Sequence, residues 1–259
     1  MRIVILAPQK LNESKLEYFK HIFLSSKIEV LGAVILNPIK EKPLLKLRRK
    51  IKRDGLLMSL RRFIYNKIET KFHNSMKRSA KLYFEEKSIP IVVTKEKYSK
   101  NVIEFISSKK PDALFRTGWG IIKEPLLSIT PVGIVSYHHG DIRKYRGMPP
   151  CFWQLYNNES SMKVTIQILK EGLDCGKIVA EKDVQIRERD DLKTLHRRVY
   201  AVTYSMASVA LEMLDDPHFK PVEIKKSNLG TLYTTPKISQ LFMLYLKIYI
   251  KNIKPSRKN

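Results

Sequence analysis

The chain has 259 residues, with 49 Lys and Arg against 25 Asp and Glu, a formal net charge of +24 and a pI near 9.9. Its 43% hydrophobic content suits a soluble globular protein with a full core, while the two cysteines, Cys151 and Cys175, argue against a disulfide framework and no Cys/His spacing reads as a zinc site. The charge bears on partners: phosphate-bearing molecules, RNA and anionic membrane surfaces qualify, as does a lysine- and isoleucine-rich composition with no partner behind it.

Residues 2–7 read as a buried first strand. Its apolar run ends at Pro8, Gln9 and Lys10, too short for a secretory h-region, so a cytoplasmic location is the default expectation. A helix over about 13–26 and a second strand over 28–36 complete a strand–helix–strand unit, hence a parallel sheet with a right-handed crossover. No Gly-x-Gly-x-x-Gly follows the first strand, which argues against a nicotinamide dinucleotide. Over about 40–87 the texture changes. Leu44, Leu47, Ile51, Leu56, Leu60 and Ile64 recur at three- and four-residue spacing among Lys46, Arg48, Arg49, Lys50, Lys52 and Arg53. Asp54-Gly55 divides the stretch into an inserted basic helical hairpin. It reads either as a solvated pair covering the sheet edge or as a platform for membrane phosphates, a nucleotide-linked sugar or RNA.

A third strand over 89–93 precedes an amphipathic helix over 100–109. Residues 111–120 hold the fourth strand and its exit loop, where Arg116 lines a pocket mouth or pairs locally, and 121–127 begin the next helix. The fifth strand, 133–137, delivers His138 to the carboxyl edge of the sheet, where ligands of open α/β sheets sit. After a helix over 151–157, strands over 164–169 and 177–186 pair around a turn carrying Asp174. Residues 192–214 read as one long helix, with His196 a solvated surface residue. The tail ends in 238–253, nearly apolar all round and followed by Lys254, Arg257 and Lys258. It is too short to span a bilayer comfortably; interfacial helix, packing helix and dimer contact stay open.

The most informative pattern is Ser136-Tyr137-His138-His139-Gly140, leading to Tyr145-Arg146-Gly147, with Leu173-Asp174-Cys175-Gly176 after the next strand. A strand ending in His138 and a turn carrying Asp174 can bring an imidazole and a carboxylate together, a pairing that tunes a histidine for acyl transfer near neutral pH. Side chains alternate across a strand, so His138 and His139 diverge unless the chain turns. A metal held by His138, His139 and Asp141 is therefore disfavoured, and His139 reads as structural.

In order and spacing these residues resemble the formyltransferase family, whose members carry Asn-x-His-x-Ser-Leu-Leu-Pro-x-Tyr-Arg-Gly and, further on, Leu-Asp-x-Gly-x-Ile. The likeness is good over about 111–186 and looser over 1–38. It implies an α/β fold: a Rossmann-like open, mostly parallel twisted sheet with flanking helices. Residues 1–231 would form the formyltransferase-like domain, bearing the hairpin, and 232–259 a basic amphipathic tail. It also implies 10-formyltetrahydrofolate as formyl donor, an amine acceptor and no metal. His138 would steady the oxyanion and Asp174 would help take the amine proton. Gly118, Trp119, Gly120, Ile121 and Leu169 would hold the folate, and Tyr145, Arg146 and Gly147 would meet an anionic acceptor or shape the loop. Ser136 stands where the family has asparagine, so its hydroxyl is expected to replace the amide as hydrogen-bond donor. Losing one such donor costs about a hundred- to a thousandfold in rate. Gly140-Asp141-Ile142-Arg143 replaces Ser-Leu-Leu-Pro.

The acceptor is read by elimination. tRNA-directed members carry a C-terminal β-barrel-like domain, whereas an apolar helical tail follows the late helix here; glycinamide ribonucleotide enzymes keep the asparagine and the Ser-Leu-Leu-Pro loop. The expected acceptor is therefore an amino sugar, nucleotide- or lipid-linked, with a methionyl-tRNA-directed enzyme as the alternative. The rival from another class is a catalytically weak binding protein that docks on anionic membrane, at the inner membrane surface, or on nucleic acid. Oligomeric state stays open.

Overall fold

The computed structural model describes residues 1–38, 42–72 and 77–253; residues 40, 41 and 73–76 of the basic insertion, and Lys254, Arg257 and Lys258 of the tail, lie outside these. In chain order the elements are β1 (Arg2–Pro8), β2 (Lys10–Leu11), α1 (Glu13–Leu24), β3 (Glu29–Leu36), α2 (Pro43–Asp54), α3 (Leu56–Phe72) and β4 (Arg78–Ser79). Next come α4 (Ala80–Glu85), β5 (Ile91–Thr94), α5 (Lys100–Lys109), β6 (Ala113–Arg116), β7 (Gly133–His138), β8 (Tyr145–Gly147) and α6 (Phe152–Tyr156). The chain finishes with β9 (Ser161–Ile168), β10 (Lys177–Gln185), α7 (Leu192–Thr203), α8 (Met206–Asp215), β11 (Thr231–Tyr233) and α9 (Ile238–Ile253).

Alternation inside β1 builds both apolar layers. Ile3, Ile5 and Ala7 face one core with Phe19, Phe115 and Leu211, while Val4 and Leu6 face the other with Val102, Ile106 and Leu114. A parallel strand covered on both faces demands such a continuous apolar run. The main sheet has the order β10-β9-β7-β6-β1-β3-β5, with β9 antiparallel to β7 and β10 and the remaining pairs parallel. The chain leaves β1 for β3 on one side and returns to β6 on the other. That reversal opens a crevice at the carboxyl ends of β1, β6 and β7. The mostly parallel, Rossmann-like α/β architecture expected from the sequence is the one observed.

Several local expectations are corrected. Residues 121–127 form turns rather than a helix. Pro125 lacks the N–H a helix needs and disfavours helical geometry at Glu124 before it. The late helix splits into α7 and α8 around Tyr204 and Ser205. At the break the Tyr137 hydroxyl donates to the Thr203 carbonyl (2.6 Å) and accepts from the Ala207 N–H (3.0 Å), replacing backbone bonds that a continuous helix would make. His196 is buried, not solvated, with Nε2 3.0 Å from the Pro150 carbonyl. The short strand β11 pairs in parallel with β8, drawing the start of the tail under the His138 loop.

The hairpin of α2 and α3 is anchored at its second helix. Tyr65 packs edge-on against Phe152 of α6, and Arg61 donates to the carbonyls of Thr235 and Pro236 ahead of α9. Leu241 and Leu244 of α9 are buried, and Lys247 donates to the Tyr156 carbonyl (2.8 Å) at the end of α6. Of the readings open for the tail helix, packing describes one of its faces.

Removing the Tyr137 hydroxyl strands two backbone groups at the α7–α8 break. Tyr137→Phe should lower unfolding free energy by about 1–3 kcal/mol in urea titrations.

Candidate active site

Register places the chemistry. Arg116 on β6 lies beside Ser136 on β7, and Ser136 lies beside Gln167 on β9, with His138 beside Thr165 two positions further on. Side chains two apart share a face, so Ser136 and His138 point the same way at the carboxyl rim. His139 follows in the bend that ends β7 and stacks on Tyr137, and both histidines border the same cavity.

His138 is buried, and both ring nitrogens face oxygen. Nε2 lies 2.7 Å from the Tyr145 carbonyl, which can only accept, so that nitrogen carries a proton. Nδ1 lies 3.4 Å from Asp174 Oδ1. Asp174 sits in a left-handed turn, φ 47°, a conformation its short polar side chain tolerates better than most. Its other oxygen accepts from the Gly147 N–H at 2.7 Å. Burial works against its ionisation, but the His138 ring, the Gly147 N–H and the Arg116 charge outweigh this and hold the carboxyl below its ordinary range. Arg146 clamps the same turn from behind, donating to the carbonyls of Leu173 (2.7 Å) and Asp174 (3.1 Å).

Two glycines are fixed by this packing. A Cβ on Gly140 would lie 2.7 Å from both His138 Nε2 and the Tyr145 carbonyl. One on Gly147, where φ is 85°, would meet the Tyr233 carbonyl at 2.1 Å across the β8–β11 pair. Gly140 is a site residue that the motif reading passed over.

Around the pair lies a cavity of about 750 Å³. Gly118, Gly120, Ile121, Ile122 and Leu169 give it an apolar wall; Arg116 and Asp174 supply charge, and His138 an imidazole. Arg62, Tyr65 and Asn66 of α3, with Tyr233, Thr234 and Thr235 after β11, complete the lining. The hairpin and the tail thus border the site, which the sequence did not disclose.

The remaining sequence expectations divide. Gly118, Gly120, Ile121 and Leu169 line the cavity as expected, but Trp119 does not: its indole is buried and donates to the Ala7 carbonyl at 2.8 Å. Ser136 is brought to the rim, yet its hydroxyl is already engaged, accepting from Arg116 Nη1 at 2.9 Å. Arg116 also donates to the Gly120 carbonyl (2.6 Å), while its buried Nε finds no partner. Burial pulls the guanidinium pKa down and the Asp174 charge opposes this. Tyr145 and Arg146 turn to structural duties, Tyr145 bonding Glu159 (2.7 Å) and stacking on Tyr233. Gly147 borders the cavity. Arg143, one of the loop's added charges, pairs with Asp141 (3.0 Å) and Glu181 (2.6 Å). His139 sits among Tyr137, Tyr200 and the Tyr18 hydroxyl, and burial, followed by the charges of His138, His196 and Lys15, lowers its pKa to about 3.

The model of the family described as formyl transferase matches residues 65–211, a span that takes in His138 and Asp174. The chain belongs to the formyl transferase family. It is similar to the methionyl-tRNA formyltransferase of Thermodesulfovibrio yellowstonii, 28% identical over 153 residues, 59% of this chain and 48% of that protein. It is also similar to the bifunctional polymyxin resistance protein ArnA of Wigglesworthia glossinidia brevipalpis, 31% identical over 118 residues, 45% of this chain and 18% of that one. The chain thus spans about half the length, or less, of these curated relatives. Among solved folds it resembles phosphoribosylglycinamide formyltransferase from Bacillus halodurans (TM-score 0.57, 19% identity, 85% of this chain and 99% of that one). It likewise resembles the N-formyltransferase of Helicobacter canadensis in complex with folinic acid and dTDP-3-aminofucose (TM-score 0.56, 12% identity, 100% of this chain and 85% of that one).

Two outcomes are expected from the site's packing. Gly140→Ala should displace the His138 ring and the Tyr145 carbonyl, lowering turnover at least about tenfold by the cost of small misplacements and lowering the thermal unfolding midpoint as well. The His139 value in the fold lies below its ordinary value of about 6.5, so the unfolded chain takes up the proton first and stability falls as pH drops below that value. About 2 kcal/mol should be lost between pH 7.5 and 5, and urea titrations of His139→Phe should show a flatter profile.

Proposed function

We propose that this chain transfers a formyl group from 10-formyltetrahydrofolate to the amine of an amino sugar that carries phosphate groups, nucleotide- or lipid-linked. The observation that carries the reading is the His138–Asp174 pair, 3.4 Å apart and open to a cavity with an apolar wall. The wall fits the donor. Gly118 and Gly120 present backbone without side chains, and Ile121, Ile122 and Leu169 offer a surface for a flat heterobicycle.

The donor supplies a carbonyl carbon whose oxygen gains negative charge when an amine adds to it. Asp174, held ionised at neutral pH, takes up the proton the amine releases as the new C–N bond forms. His138, held through Nε2 by the Tyr145 carbonyl, would stabilise the developing charge through a proton on Nδ1, the nitrogen it also turns toward Asp174. Arg116, tied to Ser136, adds a fixed positive charge beside them. Ser136 then acts through Arg116 more than as a donor in its own right. Expulsion of the folate nitrogen with a proton completes the transfer and returns the pair to its starting state.

The amino-sugar acceptor is supported by the cavity's other lining. Arg62, Asn66, Thr234 and Thr235 offer polar groups, and Tyr65 and Tyr233 offer ring faces, a mixture suited to sugar hydroxyls and phosphate. The fold shared with a neighbour solved with dTDP-3-aminofucose agrees with this.

Turnover should be assayed with 10-formyltetrahydrofolate against nucleotide-linked amino sugars, glycinamide ribonucleotide and methionyl-tRNA, reading formamide products by mass spectrometry. Formylation of an amino sugar is expected, and His138→Ala or Asp174→Asn should slow it by about a hundred- to ten-thousandfold while calorimetric affinity for 5-formyltetrahydrofolate stays within a few fold. Absence of folate binding would overturn the activity; formylation of methionyl-tRNA alone would overturn the acceptor.

A further inference from the structure

Helix α9 is apolar on two faces, and only one of them is packed. Leu241 and Leu244 are buried, whereas Phe242, Leu246, Tyr249, Ile250 and Ile253 form a second stripe at helical spacing and face solvent. Phe242, Tyr249 and Ile253 are each more than 60% exposed. Helix α3 repeats the arrangement: Tyr65 packs inward on α6, while Leu56, Leu57, Leu60 and Phe63 lie on an exposed stripe. The two helices are neighbours, because both rest on α6 and Arg61 of α3 binds the carbonyls that lead into α9. Exposed apolar stripes on two neighbouring helices mark an interaction surface.

Charge decides what the surface meets. Between Lys42 and Arg62 the sequence has nine Lys and Arg and a single acid, Asp54, and within α9 it has Lys247 and Lys251 and no acid. Arg48, Arg49 and Lys52 of α2 are exposed. A second copy of the chain would bring +24 against +24. A nucleic acid would satisfy the cations but leave the apolar stripes in water. An anionic bilayer surface satisfies both, taking apolar side chains into the acyl boundary and basic ones among the headgroups. Among the described residues no helix is long and apolar enough to cross a membrane, so α3 and α9 would lie in the interface.

We propose that the joined faces of α3 and α9, flanked by the basic helix α2, dock the protein on membranes rich in anionic phospholipid. Residues of α3 and of the segment before α9 also border the cavity, so docking would bring the cavity close to the headgroup layer. On the formyl-transfer reading, which the docking itself does not require, this favours a lipid-linked acceptor over a freely diffusing one.

The full chain should be sedimented with vesicles of phosphatidylcholine alone and of equal parts phosphatidylcholine and phosphatidylglycerol. Retention is expected on the mixed vesicles, weakening as salt rises, with little on the neutral ones. The pairs Phe242→Ser with Ile250→Ser, and Leu57→Ser with Leu60→Ser, should each lower retention at least about tenfold with circular dichroism unchanged. Equal retention on neutral vesicles, or retention indifferent to both pairs, would overturn the proposal. So would absence of retention, whether the chain sediments as a dimer closed over the same face or binds RNA instead. Calorimetry with 5-formyltetrahydrofolate on the same preparations keeps the two readings apart, since folate binding without vesicle binding defeats only the docking.

Discussion

Three consecutive residues, Tyr145, Arg146 and Gly147, hold both members of the pair on which the site depends. The carbonyl of the first accepts from His138, the side chain of the second clamps the carbonyls of Leu173 and Asp174, and the N–H of the third donates to the Asp174 carboxylate. Two of these contacts are made by backbone, so they fix geometry without depending on a rotamer. Pairing with β11 steadies the segment, and Gly147 lets the two strands approach where a Cβ would collide. The short β8 strand is therefore the brace that keeps an imidazole from a strand end and a carboxylate from a turn in register.

The same brace reaches outward. Strand β11 leads within a few residues to the carbonyls of Thr235 and Pro236, which Arg61 holds, and so to both α3 and α9. The basic insertion, the apolar tail and the Tyr145–Gly147 segment are thereby coupled through one short run of backbone. A cavity that would be open at a bare sheet edge gains walls from α3 and from residues 233–235. Arg62 and Asn66 of α3 and Tyr233 after β11 thus face the same space as His138 and Asp174.

Much of this was legible in the sequence because the information is local. A continuous apolar run announces β1, and the histidine at the end of β7 announces the rim, since both follow from side-chain alternation. The His138 and Asp174 positions were legible as a spacing pattern. What stayed hidden depends on contacts between distant segments. Nothing in the neighbourhood of Trp119 tells that its indole turns inward to Ala7, or near Ser136 that Arg116 from the adjacent strand reaches it first. Similarly, the break between α7 and α8 is made by a hydroxyl from β7, and a period-based reading of residues 192–214 contains no trace of it. His196 looked solvated beside two arginines, but the helix face it occupies is turned to Pro150.

Binding of the donor where the pair can act is the claim on which the function stands, and a crystal structure with 5-formyltetrahydrofolate tests it most directly. The formyl group should lie within hydrogen-bond reach of His138 and Asp174, with the pterin against Ile121 and Leu169. A folate bound elsewhere, or a cavity closed by side chains packed between the imidazole and the carboxylate, would contradict it.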